Sequence, residues 1–375
     1  MVGSSVPRVL ATVLLAKPAF QHVLDNLSQS GFQLIGPTVR DGTVILAPIR
    51  KVGEFPVGWA LVQKPGSSRL VQNHSTEYFS CTVGAHSWKP YLFPPRFDLL
   101  TAHRNGNGWV FEPCLDDSPP FAFIGVRSCD LHAIANLDDV FINGNIRDPH
   151  YARRREHAFI LAVNCNSAVS TCFCTSMNSG PRVHTGFDLA LTELPDSFVI
   201  EIGSEAGSNV LAGTDWQPAS AFDVGRVAQI AQRTERQIQR QVSTSDLPKL
   251  LYDTIDHPYW DAIAERCLSC ANCTMVCPTC FCSTVEDHSE LTGTKTKRTR
   301  VWDSCFILDF SHVHGGNSRP TIKSRFRQWM THKLAAWIDQ FGRSGCVGCG
   351  RCIAWCPVGI DITEELSKMR SLGAR

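Results

Sequence analysis

The stretch Cys267-Leu268-Ser269-Cys270-Ala271-Asn272-Cys273-Thr274-Met275-Val276-Cys277-Pro278 sets four cysteines in a C-x2-C-x2-C-x3-C-P run. The same run returns as Cys346-Val347-Gly348-Cys349-Gly350-Arg351-Cys352-Ile353-Ala354-Trp355-Cys356-Pro357. A [4Fe–4S] cube needs four thiolates at roughly tetrahedral corners, and three closely spaced cysteines in a tight turn supply three of them. The last cysteine opens a helix, whose first turn tolerates the following proline. Where two such runs occur together, the last cysteine of each crosses to the other cluster. The expected ligand sets are Cys267, Cys270, Cys273 and Cys356 for one cube, and Cys346, Cys349, Cys352 and Cys277 for the other. Zinc is the competing reading. Zinc sites pair two C-x2-C units or mix in histidine, and two full runs ending in proline fit that poorly.

Residues 278–345 separate the two runs, far more than the small ββα ferredoxin repeats allow. Within them, Phe326, Met330, Leu334 and Trp337 share one face of a helix expected over 323–341. Helical patterns also cover 223–243, 246–266 and 363–369. Residues 223–375 therefore read as a mostly helical two-cluster ferredoxin-like domain. Trp355, between two ligands, either covers a cluster or is a plain core residue. The basic segment Lys295–Arg300 reads as a solvated loop.

Residues 1–222 read as an α/β domain, so the fold class is α+β overall. Phe20, Val23, Leu24 and Leu27 fall at helical spacing, with Gly31 as the stop. Strand-like runs cover 32–35, 43–46, 121–126 and 158–163, a helical one covers 131–141, and 206–222 reads as a connection. Cys129 follows one strand run, and Cys165 follows another, with Cys172 and Cys174 just beyond it. If those strands are parallel neighbours, the four thiols gather at one sheet edge. They can then complete a third [4Fe–4S] cluster, or they are buried free thiols. Cys280, Cys282 and Cys305 either line the clusters or are buried, and Cys81 and Cys114 belong to no pattern.

Composition sets the outer limits. The chain has 375 residues, 36 Lys+Arg against 35 Asp+Glu, and 17 cysteines. A net charge of +1 argues against nucleic-acid binding. A secreted disulfide scaffold would be short, with its cysteines spread through it. Here they crowd one end of a long chain, which favours metal chemistry in a reducing, cytoplasmic setting. The apolar run Val9–Ala16 stops at Lys17-Pro18, too short for a membrane span. No G-x-G-x-x-G after a strand, no phosphate-binding loop and no G-x-S-x-G elbow occurs. The chain has electron carriers and no visible catalytic head.

Several further segments carry a resemblance. Gly125–Leu131 (GVRSCDL), Thr171–Pro181 (TCFCTSMNSGP), Phe187–Leu194 (FDLALTEL), Cys277–Cys282 (CPTCFC) and Cys346–Cys356 (CVGCGRCIAWC) resemble the β subunit of cytoplasmic NAD(P)-linked [NiFe] hydrogenases of the sulfhydrogenase type. The A-type iron–sulfur subunit of anaerobic sulfite reductases is similar and belongs to the same family. The match runs from about residue 20 to 362. Ser128 departs from it, since the family often has proline there. The resemblance implies a role without catalysis of its own. Electrons would pass from an NAD(P)H-binding FAD subunit with a [2Fe–2S] cluster, through this chain, to [NiFe] hydrogenase small and large subunits or to a sirohaem sulfite reductase subunit. A free-standing iron–sulfur enzyme, with substrate near Cys129 to Cys174, is the reading from a different class.

Overall fold

Strands Phe121–Val126 and Phe159–Val163 lie side by side in parallel, with Ala122 opposite Phe159 and Ile124 opposite Leu161. The computed structural model describes residues 6–81 and 84–373. In it these strands are the middle of an eight-stranded sheet. Its order across is Trp216–Pro218, Thr12–Ala16, Ser197–Ile202, Leu189–Glu193, Phe159–Val163, Phe121–Val126, Gln33–Arg40 and Thr43–Pro48. Leu189–Glu193 and Gln33–Arg40 join the central pair in parallel, and the outer strands are antiparallel.

Both faces of the central strands are covered, which is why they read as unbroken apolar runs. On one face Ala122, Ile124, Leu161 and Leu191 pack against Phe20, Val23, Leu24 and Leu27 of the helix Phe20–Gln29. On the other, Phe123, Ile160 and Ala190 pack against Leu131, Ile134 and Leu137 of the helix Ser128–Phe141. Gly125, at φ 95°, makes a bulge between Ile124 and Val126. It turns the chain so that Arg127 leaves the strand and Cys129 falls in the first turn of the helix. The carboxyl ends of two parallel neighbours thus deliver Cys129 and Cys165 to one edge.

The C-terminal residues build a helical layer around Leu247, Leu251, Trp260, Ile263, Phe326, Met330, Leu334, Leu366 and Met369. The helix expected over 246–266 is two, Leu247–Asp253 and Tyr259–Arg266, parted by a turn that ends at Pro258. The one expected over 323–341 begins at Ile322 and contains a π-helical turn, His332–Ala336. The supposed connection 206–222 holds the rest of a short helix, Glu205–Val210, and the edge strand Trp216–Pro218.

Lys295–Arg300 is not a loop. It belongs to the strand Lys295–Trp302, inside a four-stranded sheet that also contains Ser283–Ser289, Arg96–Asn105 and Gly108–Pro113. Its charges are absorbed by ion pairs, Lys297 with Asp98 at 2.8 Å, Arg298 with Asp287 at 2.8 Å, and Arg300 with Asp148. This sheet joins strands from both sides of residue 222.

Candidate iron–sulfur centres

The helix Tyr259–Arg266 runs straight into Cys267, whose N–H still bonds to Ile263 at 3.2 Å. Ser269 and Ala271 then take left-handed conformations, φ 51° and 64°. This winds Cys267, Cys270 and Cys273 around one cavity. Cys356 closes it, and Phe306, Phe326, Trp329 and Ile360 form its apolar walls. The Ser269 N–H points at Cys267 Sγ (3.4 Å), and the Ile360 N–H at Cys356 Sγ (3.3 Å). These are donors of the kind that stabilise a sulfur ligand. The indole Nε1 of Trp329 is buried without a hydrogen-bond partner among the described residues. Trp355 is half-buried and is not part of this wall.

The second run repeats the turn. Gly348 and Gly350 hold φ 62° and 74° at the positions of Ser269 and Ala271, and the Gly348 N–H lies 3.5 Å from Cys346 Sγ. The charge of Cys277 reaches Cys346, Cys349 and Cys352, while that of Cys356 reaches Cys267 and Cys273. Cys277 bears on Cys273 as well, so the two runs lie close together. Lys333, in the π-helical turn, is fully buried beside Cys277. Its Nζ donates to Cys277 Sγ (3.4 Å), Thr279 Oγ1 (2.8 Å) and Gly345 O (3.2 Å). Burial opposes its charge, yet Cys277, Cys280 and Cys346 hold its pKa well above the usual lysine value.

Cys129, Cys165, Cys172 and Cys174, the third set, line a cavity of their own with Arg127, Pro181 and Ile238. Cys349 lines it too. Arg351 and Asp130 form a buried ion pair at 2.7 and 3.0 Å, with Arg351 only 2% exposed. Arg351 belongs to the second run and Asp130 follows Cys129, so this pair ties the two sites together. The Phe173 N–H bonds to Gly348 O at 2.8 Å, seating the Thr171–Cys174 loop on the second run.

These thiols fit iron–sulfur clusters better than single metal ions. A zinc ion draws four sulfurs to about 2.3 Å from one point. Among the described residues, no three His, Cys, Asp or Glu side chains converge that way; the first and third sets stand around cavities. Burial pushes Cys346 and Cys172 up to about 12, so they ionise near neutrality only against a bound cation.

Two comparisons bear on this geometry. A family model for a 4Fe–4S dicluster domain matches residues 266–360, which contain both runs. The chain is also 34% identical over 289 residues to sulfhydrogenase 2 subunit beta of Pyrococcus furiosus, covering 75% of this chain and 82% of that protein. The chain belongs to the sulfhydrogenase beta-subunit family. It is an iron–sulfur protein of the electron-transfer type, related to a hydrogenase subunit. No helix among the described residues is long and apolar enough to cross a membrane.

Around its thiols this family member carries residues that the sequence does not flag. Arg351 sits inside the second run with no mark of its being buried, and Lys333 reads as an ordinary helix lysine. Lys89 is buried and donates to Cys280 O at 3.0 Å, from a short helix that carries no periodic signal. Asp130 and Arg127 stand out in sequence only by adjoining Cys129. In the structure Arg127 donates to Phe79 O (2.5 Å) and Cys81 O (2.9 Å). His132 bonds the carbonyl of Ser128 at 2.9 Å, an ordinary helix contact, and His288 faces Glu286 on the surface.

Proposed function

We propose that this chain is the cytoplasmic component that relays electrons between the catalytic metal subunits of a [NiFe] hydrogenase and an NAD(P)H-linked FAD subunit. The observation that carries the reading is that the three thiol sets stand in series with shared walls. Cys352 lines the first cavity as well as belonging to the second set, and Cys349 lines the third. A [4Fe–4S] cube takes up and gives back one electron at a time. Cys267, Cys270, Cys273 and Cys356 would hold the outer one, and Cys346, Cys349, Cys352 and Cys277 the middle one. Cys129, Cys165, Cys172 and Cys174 would hold the inner one. The outer end reaches the surface, where Cys270 is exposed and Leu268 is 62% exposed. In this reading residues 223–375 carry two sets and residues 1–222 the third.

The hydrogenase relative favours that partner over a sirohaem sulfite reductase. Affinity purification of the native complex tests the role. Recovery of a flavoprotein and a nickel–iron subunit is expected; a partnerless monomer that turns over a substrate contradicts it. The second reading, a free-standing enzyme, has one observation in its favour. A polar cleft lined by His132, Arg182, His184 and Glu235 lies across Gly180 from Cys174.

A further inference from the structure

Three cysteines beside the clusters remain without a role in that proposal, Cys280, Cys282 and Cys305. Cys280 and Cys305 pack in the same apolar group as Cys267, Cys273, Cys346, Cys352 and Cys356. Cys282 opens the hairpin in which Ser283 faces Trp302. Its carbonyl accepts the Asp303 N–H at 2.9 Å. This pairing carries the chain past Asp303 and brings Cys305, two residues further on, to the side of Cys282.

Two buried ammonium groups face this spot. Lys333 acts on Cys280, Cys282 and Cys305. Lys89 lies 3.8 Å from the centre of the Trp302 ring and donates to Cys280 O. Neither lysine has a carboxylate within ion-pair distance among the described residues. Reactive cysteines occupy such electropositive surroundings, whereas inert ones are buried in apolar ones. Cys81 shows the inert case, pushed up to about 11 by burial. The interaction between Cys282 and Cys305 lowers the pKa of Cys282 against the effect of burial and raises that of Cys305.

We propose that Cys282 and Cys305 form a redox-active dithiol–disulfide pair that stores two electrons beside the metal centres. The inference rests on the electron-relay reading. Oxidation joins the two Sγ atoms in one S–S bond, releases two protons to solvent, and gives two electrons to the iron–sulfur clusters held by the neighbouring motif cysteines. Reduction breaks that bond, takes the two electrons back from the clusters, and returns a proton to each sulfur. The pair would let a chain of one-electron carriers hold a two-electron load, the amount a hydride delivers.

The test uses the iron-loaded full chain, poised anaerobically at a series of potentials with mediator dyes. Samples are quenched in acid, alkylated with iodoacetamide and weighed as peptides. The expected result is a two-electron transition in which the peptides of Cys282 and Cys305 pass together from alkylated to disulfide-linked. Cys282→Ser and Cys305→Ser should each abolish it while iron per chain stays unchanged. Full alkylation of both cysteines at every potential, with iron retained, overturns the pair and leaves the relay reading standing. A fall in iron in either variant also overturns it, because the thiols are then metal ligands. A wild-type chain that binds no iron contradicts the relay reading itself and this inference with it.

Discussion

The two cysteine runs share spacing and backbone yet differ in what surrounds them. Ser269 and Ala271 hold left-handed conformations in the first run, where Gly348 and Gly350 do so in the second. The turn itself therefore does not demand glycine, although a side chain there costs about 1–2 kcal/mol per residue. Packing demands it in the second run alone. A Cβ on Gly348 would lie 2.6 Å from Phe173 O, and one on Gly350 would lie 2.2 Å from Thr171 O. The first run looks outward, past exposed Cys270 and Leu268. The second is clasped by the Thr171–Cys174 loop and flanked by the buried cations Lys333 and Arg351. One run is thus placed to meet a partner, and the other to meet the third thiol set.

Substitutions probe that contrast. The largest effect is expected on metal content. Cys270→Ser should lower iron by about four atoms per chain, the content of one cube. Cys349→Ser should cost more than that, up to about eight, because Cys349 also lines the cavity of the third set. Equal losses in anaerobic iron assays would argue that the second run is no closer to the third site than the first. Next comes stability. Gly350→Ala combines a left-handed alanine with a collision against backbone, and should destabilise by about 2–5 kcal/mol in denaturant titrations. A potential shift follows. Lys333→Met removes a unit charge beside Cys277, and redox titration followed by electron paramagnetic resonance should show one centre falling by about 100 mV, the scale of a unit charge at an effective dielectric of about 20. Lys333→Arg should restore most of it, and the outer centre should hardly move. The smallest effect belongs to Ala271→Gly, where relief of the left-handed conformation offsets the loss of one buried methyl group. Its unfolding midpoint should change by less than the equivalent of about 1 kcal/mol.

Much of this was legible in the sequence, because thiol spacing and strand periodicity are local signals. The two runs, the helix at Phe20 and the strand at 121–126 stand where the sequence pattern puts them, and the strand expected over 158–163 begins one residue later, at Phe159. Cys129, Cys165, Cys172 and Cys174 come together because those strands are parallel neighbours, the condition their gathering required. What could not be read depends on contacts between distant segments. The charges of Lys295–Arg300 suggest a solvated loop until Asp98, Asp148 and Asp287 arrive to neutralise them. Arg351 and Asp130 are far apart in the chain, so a buried pair between them leaves no trace in either neighbourhood. The break in the helix expected over 246–266 has a local cause, since Pro258 lacks the N–H and the freedom in φ that a helix interior needs.

Iron and acid-labile sulfide, measured on the anaerobically purified chain, test most directly whether three thiol sets in series hold three four-iron clusters. About twelve of each per chain are expected, falling to about eight in Cys172→Ser. A wild-type value of about eight, unchanged in Cys172→Ser, would contradict the three-cluster relay.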